Sequence, residues 1–287
     1  MHFQTHYSTQ SIVDIHHADK LAQDLVSVTL TLRQLCDLEL LLNGGFAPLS
    51  GFLNRQDYDS VLKESRLQNG MLWPIPINLD IDRKLVEQIQ SQNEIMLRDP
   101  EGLLLGVMKI TDIWQVDKKR EAERVLGTQN QNHPGVFYLF NHVKEYYLGG
   151  KVTGISLPHY YDFQHLRYTP HQLGQLFKEL GWKKIVAFQT RNPMHRAHQE
   201  LTLRAMQQTG ANLLIHPVVG MTKPGDIDYF TRIRCYEHVL KTYRPQSVLL
   251  SLLPLAMRMA GPKEAVWHAT RLLWGLPFAS LKAANLI

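Results

Sequence analysis

Strand and helix patterns alternate from Thr169 onward, and this alternation constrains the fold more than any other feature of the chain. Thr169-Pro170 opens a helix, with Thr as cap and Pro at the first helical position. Residues 184–189 are a short apolar run that reads as a buried strand. A helical pattern through Leu201, Leu203, Ala205 and Met206 follows Pro193. A second strand is expected over 212–216, a helix over 229–243, a third strand over 247–253 and a further helix start over 262–269. Such alternation predicts a parallel sheet with helices packed on it. Ligands in such sheets gather at the carboxyl ends of the strands.

The first half has a different character, mixed and strand-rich. Leu35, Leu38 and Leu42 have helical spacing, which predicts a helix over 32–42 ended by Asn43-Gly44-Gly45. A second helix is expected over 57–64. Pro74 and Pro76, set among Trp73, Ile75, Ile77 and Leu79, predict an edge strand. Two apolar runs around Asp99-Pro100-Glu101-Gly102 predict a hairpin over 95–110. Lys118-Lys119-Arg120-Glu121 reads as a solvated helix start rather than a binding patch. The change near Leu166 divides the chain into a β-rich domain over 1–166 and an α/β domain over 167–287.

The net charge of +5 suits anionic substrates and is too mild to argue for nucleic acid as a partner. Cys36 and Cys235 are far apart and form no CxxC, so a reducing cytoplasm is expected, with both thiols as buried packing. Met1-His2-Phe3-Gln4-Thr5-His6-Tyr7 lacks the regions of a signal peptide. The longest apolar run, 248–257, contains Pro254 and falls well short of the ~20 residues that span a bilayer, so no membrane partner is expected.

The chemistry concentrates in Gln189-Thr190-Arg191-Asn192-Pro193-Met194-His195-Arg196-Ala197-His198, a polar turn between the strand and the helix. Free N–H groups and the partial positive charge of a helix N-terminus favour an oxyanion there. Arg191 adds a planar fork, and Gln189, Thr190 and Asn192 add further donors. Loop capping with a surface arginine is the competing reading of Arg191 and Asn192. His195 and His198, spaced i and i+3, share one helix face. They suit phosphate contact, with two ordinary surface histidines as the alternative. A metal pair would need a third ligand, so no protein-bound metal is expected. Lys223, in Gly220-Met221-Thr222-Lys223-Pro224-Gly225-Asp226, is either a second anion contact or part of a plain connecting loop. Arg258, just past the third strand, suits a phosphate contact or a structural salt bridge equally.

Taken with its surroundings, the turn resembles the QxRNPxHxxH signature of the ATP sulfurylase family. The likeness extends to the run from Leu40 to Leu53 around Asn43-Gly44-Gly45-Phe46, to His133-Pro134-Gly135-Val136 and to Gly150-Lys151-Val152-Thr153-Gly154. It also takes in Tyr161-Asp162-Phe163, Leu166-Arg167-Tyr168-Thr169-Pro170 and the stretch from Leu253 to His268. The resemblance implies a mixed α/β chain, with a β-rich PUA-like N-terminal domain followed by an incomplete Rossmann-like nucleotidyltransferase domain. It implies transfer of AMP from MgATP to sulfate, giving adenosine 5′-phosphosulfate and pyrophosphate in sulfate assimilation. Gln189 and Arg191 would then hold sulfate. Thr190, Arg191, Asn192, His195 and His198 would form the active site, with His195 and His198 on the nucleotide phosphates. Mg2+ would enter as MgATP, and the family forms homo-oligomers.

After Ala269 the chain departs from the family pattern, and the glycine-rich GRDHAGPG loop that helps bind ATP and sulfate is not found. The sheet is therefore expected to lack a strand and to leave an open edge. Leu272-Leu273-Trp274-Gly275-Leu276-Pro277 can be encoded so that an adjacent reading frame gives Tyr-Tyr-Gly-Val-Cys-His, which resembles the family's continuation; a frameshifted tail is the hypothesis, and resequencing around codon 270 decides it. Two other readings stand beside the enzyme. One is an anion-binding remnant, inactive or dependent on a partner. The other is an RNA-binding protein using the PUA-like domain, which the weak charge disfavours.

Overall fold

The computed structural model describes residues 25–274 and 281–283, with side chains as far as Thr270. The N-terminal residues read for targeting, and residues 275–280 of the tail, lie outside the described residues. The chain divides into two units, the first holding the residues up to His159 with Arg258–Glu264, the second Tyr160–Met257 and the residues from Ala265 on.

The first unit is built on a six-stranded mixed sheet in the order β1-β4-β5-β6-β2, with β3 also on β6. Its strands are β1 (Ser27–Thr29), β2 (Gly51–Phe52), β3 (Leu79–Ile81), β4 (Glu94–Arg98), β5 (Leu104–Gln115) and β6 (Tyr146–Gly154). Helices α1 (Leu32–Leu42), α2 (Arg55–Glu64), α3 (Arg83–Gln88), α4 (Lys118–Glu121) and α5 (Pro134–Asn141) complete it. The expected hairpin is β4–β5: Asp99 Oδ1 accepts from the N–H groups of Glu101 and Leu103 and closes its turn. The expected helices form, and α1 starts on a capping box between Thr31 and Gln34. Gly51 pairs with Lys151, so closely that a Cβ on Gly51 would overlap the carbonyl oxygen of Gly150.

Two details differ from expectation. Trp73, Ile75 and Ile77 are buried, but 73–78 does not pair as a strand; pairing begins at Leu79. Pro74 and Pro76 have no N–H to give a ladder, so the segment is held by its buried side chains and by isolated backbone bonds, Trp73 N–H to the Ser65 carbonyl and Leu53 N–H to the Ile77 carbonyl. The charged run at α4 is exposed at Lys119 and Arg120, but Lys118 is half-buried and donates to the Val143 carbonyl, and Glu121 turns inward and accepts from the hydroxyls of Tyr58 (2.8 Å) and Tyr147 (2.9 Å).

Burial raises the Glu121 pKa above its usual 4.5, against the lowering from its two tyrosine partners. The folded state therefore holds this proton more tightly than the unfolded state. That contribution is full below pH 4.5 and is lost as pH rises through the raised value. Glu121→Gln removes the titration, so its melting temperature should fall less than the wild type's between pH 4.5 and neutrality.

The second unit is a four-stranded sheet, all parallel, in the order β10-β7-β8-β9. Its elements are α6 (Pro170–Glu179), β7 (Ile185–Thr190), α7 (Arg196–Thr209), β8 (Asn212–Pro217), α8 (Tyr229–Leu240), β9 (Val248–Leu250), α9 (Pro262–Trp274) and β10 (Leu281–Ala283). The division between units falls within α9. Thr169 caps α6 in a capping box with Gln172, with Pro170 at the first position. Alternate residues of β7 and β8 serve two cores. Ile185, Ala187 and Leu214 pack with Leu173, Phe177 and Trp182 on the α6 side. Val186, Phe188, Leu213 and Ile215 pack with Met194, Tyr236 and Tyr243 on the other. This is the two-sided burial of a parallel sheet.

β10 is a strand that periodicity did not reveal. It lies parallel to β7 with Leu281 opposite Ile185, so one edge that was expected to be open is paired. Three residues are too few to carry a pattern. Cys36 is buried as expected, whereas Cys235 is half-exposed on α8, a helix that buries Arg232, Ile233 and Tyr236 instead.

Candidate active site

The carboxyl end of β7 carries Gln189 and Thr190, and the chain turns through Arg191 and Asn192 before α7 begins. Parallel strands bring the neighbouring strand end alongside: Gln189 pairs with His216 and Thr190 with Pro217. The turn is fastened at three points. The Asn192 N–H donates to Thr190 Oγ1 at 3.0 Å. Arg232 Nη1 donates to the carbonyls of Arg191 and Val218, both at 2.8 Å. The Tyr236 hydroxyl donates to the Asn192 carbonyl at 2.5 Å.

These contacts have a chemical consequence. Arg232 and Tyr236 lie one turn apart on α8 and take up the carbonyls of Arg191 and Asn192. Carbonyl oxygens repel anions, so engaging these two removes that repulsion from the turn. Arg232 is buried, which pulls its pKa down from 12.5. Tyr236→Phe deletes one fastening. It should lower stability by about 1 kcal/mol and weaken the stabilisation that added sulfate gives in a melting assay.

Arg191 is half-buried and pairs with Asp226, whose carboxylate is almost fully buried, at 3.1 Å. The pairing aims the guanidinium. His195 is the N-cap of α7, not a residue of its first turn, and has extended backbone, φ −111° and ψ 174°. Even so, its ring stacks on that of His198, with centroids 3.8 Å apart. The His195 N–H approaches His198 Nδ1 at 3.5 Å, the outer limit of a hydrogen bond. Partial burial, then His195, lowers the His198 pKa below 6.5. At neutral pH the lowered pKa favours the uncharged imidazole of His198.

Gln189, Thr190, Arg191, Asn192, His195 and His198 thus share one turn. Lys223 is exposed, and its loop brings Asp226 rather than the lysine to Arg191. Arg258 belongs to the first unit, buried in an ion pair with Asp37. Asp226, Arg232 and Tyr236 were not found by reading the sequence. The i, i+4 spacing of Arg232 and Tyr236 on one helix face was the available signal. Among the described residues, no group of three or more His, Cys, Asp or Glu could hold a metal ion, and no helix is long and apolar enough to cross a membrane.

Residues 6–157 match the PUA-like domain model and residues 164–272 match the ATP-sulfurylase model. The sulfate adenylyltransferase of Mycosarcoma maydis is 53% identical over 251 residues, covering 86% of this chain and 44% of that protein. That of Saccharomyces cerevisiae is 51% identical over 248 residues, covering 86% of this chain and 48% of that protein. This chain therefore spans about half the length of the curated relatives it matches. A solved structure described as a hexameric APS kinase from Thiobacillus denitrificans superposes with a TM-score of 0.75 at 28% identity, covering 94% of this chain and 53% of that one. With a PUA-like domain, a parallel α/β domain and the donor-rich turn between β7 and α7, the chain belongs to the ATP sulfurylase family.

Proposed function

We propose that this chain takes part in the sulfate adenylyltransferase reaction, in which sulfate and MgATP give adenosine 5′-phosphosulfate and pyrophosphate. The observation that supports the reading is the turn at the end of β7, where the carbonyls of Arg191 and Asn192 are engaged by Arg232 and Tyr236 beside the start of α7. A sulfate oxygen attacks the α-phosphorus, the bond from that phosphorus to the bridging oxygen breaks, and pyrophosphate leaves. Sulfate is an anion already, so the step needs no general base. The protein's part is to hold two anions in line and stabilise the transferring group.

In this reading Gln189 and Arg191 hold sulfate. Thr190 and Asn192 hold the turn and donate to the transferring phosphoryl group. His195 and His198 donate to the other phosphates, with Lys223 as an outer contact. Mg2+ rides on the nucleotide as part of the substrate. Arg258 serves the first unit through Asp37 and is not assigned to phosphate. We place the domain boundary at 166/167, the chain in the cytoplasm, and the assembled protein as a homo-oligomer.

The test is sulfate-dependent release of pyrophosphate from MgATP by the purified chain. Release that requires both substrates supports the reading. Sulfate binding without release assigns the chain to the anion-binding reading, and salt-sensitive RNA binding without sulfate binding assigns it to the PUA-like domain.

A further inference from the structure

The α6-side face of the second sheet changes character at its last rung. Ala187, Leu214 and Leu249 face one another there as an apolar row. Two residues further along each strand the row reads Gln189, His216, Ser251. Gln189 pairs directly with His216. The offset between β8 and β9 is the same at Ile215–Leu250 and at the Val218–Leu253 bridge, which sets Ser251 opposite His216. The Ser251 N–H donates to the Ile215 carbonyl at 3.0 Å, as that register requires.

All three side chains are buried, at 6%, 9% and 0% exposure. Each holds a polar atom with no hydrogen-bond partner among the described residues: Gln189 Oε1, His216 Nδ1 and Ser251 Oγ. Buried polar atoms are seldom left so, and three in register on one face form a set rather than three accidents. Adjacent strands lie ~4.8 Å apart, so same-face polar atoms that do not bond directly are within reach of one bridging water. Burial, with His268 nearby, pulls the His216 pKa down to about 3, so the ring carries one proton.

We infer that His216 is a positioning residue for Gln189: its Nδ1–H donates to Gln189 Oε1 through one bridging water, and Ser251 Oγ lies on its other side in the row. A glutamine amide is nearly symmetric in shape but not in chemistry. One end accepts and the other donates. Held by Oε1, Gln189 turns its NH2 toward the turn, where an anion needs donors. Without an inward donor the amide can reverse and set its carbonyl against the anion. The row thus decides which end of Gln189 the substrate meets. The inference rests on the proposal that Gln189 contacts sulfate.

Two arms test it. In the unliganded protein, 15N-histidine NMR should show His216 protonated on Nδ1, with that resonance displaced by Gln189→Leu. Protonation on Nε2 alone, or no response to Gln189→Leu, overturns the inference. In the second arm, calorimetry should show sulfate binding weakened about tenfold by His216→Phe, since the Gln189 acceptor loses its donor. His216→Asn, whose Nδ2 stands near the place of Nδ1, should restore binding to within about threefold. Nucleotide affinity should move less than twofold in both variants. Sulfate binding by His216→Phe equal to wild type overturns the inference, as does equal loss in Phe and Asn. If His216→Phe does not fold, Ser251→Ala replaces it, with a loss of about threefold expected. A wild-type protein that binds no sulfate refutes the proposed function, while the NMR arm still decides the row.

Discussion

Arg191→Ala should reduce sulfate-dependent pyrophosphate release by about 10²- to 10³-fold, the loss expected when one preorganised donor to a transition-state anion is deleted. Arg191 is half-buried at the end of β7 and aimed by Asp226 at 3.1 Å. Its partner carboxylate costs the site some positive charge but fixes the direction of the guanidinium. Arg191→Lys keeps the charge and loses the fork, so intermediate activity is expected. Asp226→Asn keeps the shape and loosens the aim, so it should raise the KM for sulfate more than it lowers kcat. Steady-state kinetics with sulfate and MgATP varied separately measure all three. Full activity in Arg191→Ala would remove the turn from the reaction.

The second large effect concerns stability. Asp37 on α1 and Arg258 form an ion pair of the first unit, buried on both sides and joined by residues 221 apart in sequence. Arg33 is close by, its guanidinium 3.5 Å from the centre of the Tyr138 ring. Burial and the neighbouring Arg258 pull the Arg33 pKa down to about 10. Asp37→Ala leaves two buried cations short of an anion, and breaking such a pair costs about 3–5 kcal/mol. Chemical denaturation should register that loss, with a fall in melting temperature on the order of 10 °C. Asp37→Leu combined with Arg258→Met should recover much of it, since a buried pair is worth little more than well-packed apolar groups. A double variant as unstable as Asp37→Ala would show that the pair contributes through its geometry, not through mutual compensation.

The legible parts of this chain are those whose physics is local. Thr169-Pro170 announces a capped helix, and α6 begins there with the capping box formed. The turn residues Asp99 and Gly102 announce a hairpin, and β4–β5 follows in antiparallel register. The short apolar strands between helices announce a parallel sheet, and β7, β8 and β9 are parallel neighbours. The polar run 189–198 stands out because it follows a buried strand directly.

What stayed hidden is set by register and by distant packing. Trp73-Pro74-Ile75 resembles an edge strand in composition, yet prolines deny it a ladder and leave side-chain burial with isolated backbone bonds. Lys223 draws attention in its loop because it is charged, while Asp226 from the same loop is the residue that meets Arg191. Arg232 and Tyr236 read as ordinary helix residues until α8 packs against the turn and takes its carbonyls.

By itself, the sequence determined the order of strands and helices from α6 to the start of α9 and the polar turn after β7, because caps, turns and periodicity act over a few residues. The tertiary structure alone decided that Arg258 meets Asp37, that Asp226 aims Arg191, and that Gln189, His216 and Ser251 share one rung. The first two depend on how a helix and loops pack at long range, and the shared rung depends on how strands slide against one another. A shift of one residue would carry every side chain of a strand to the other face, and burial on both faces of the sheet selects the register that is seen.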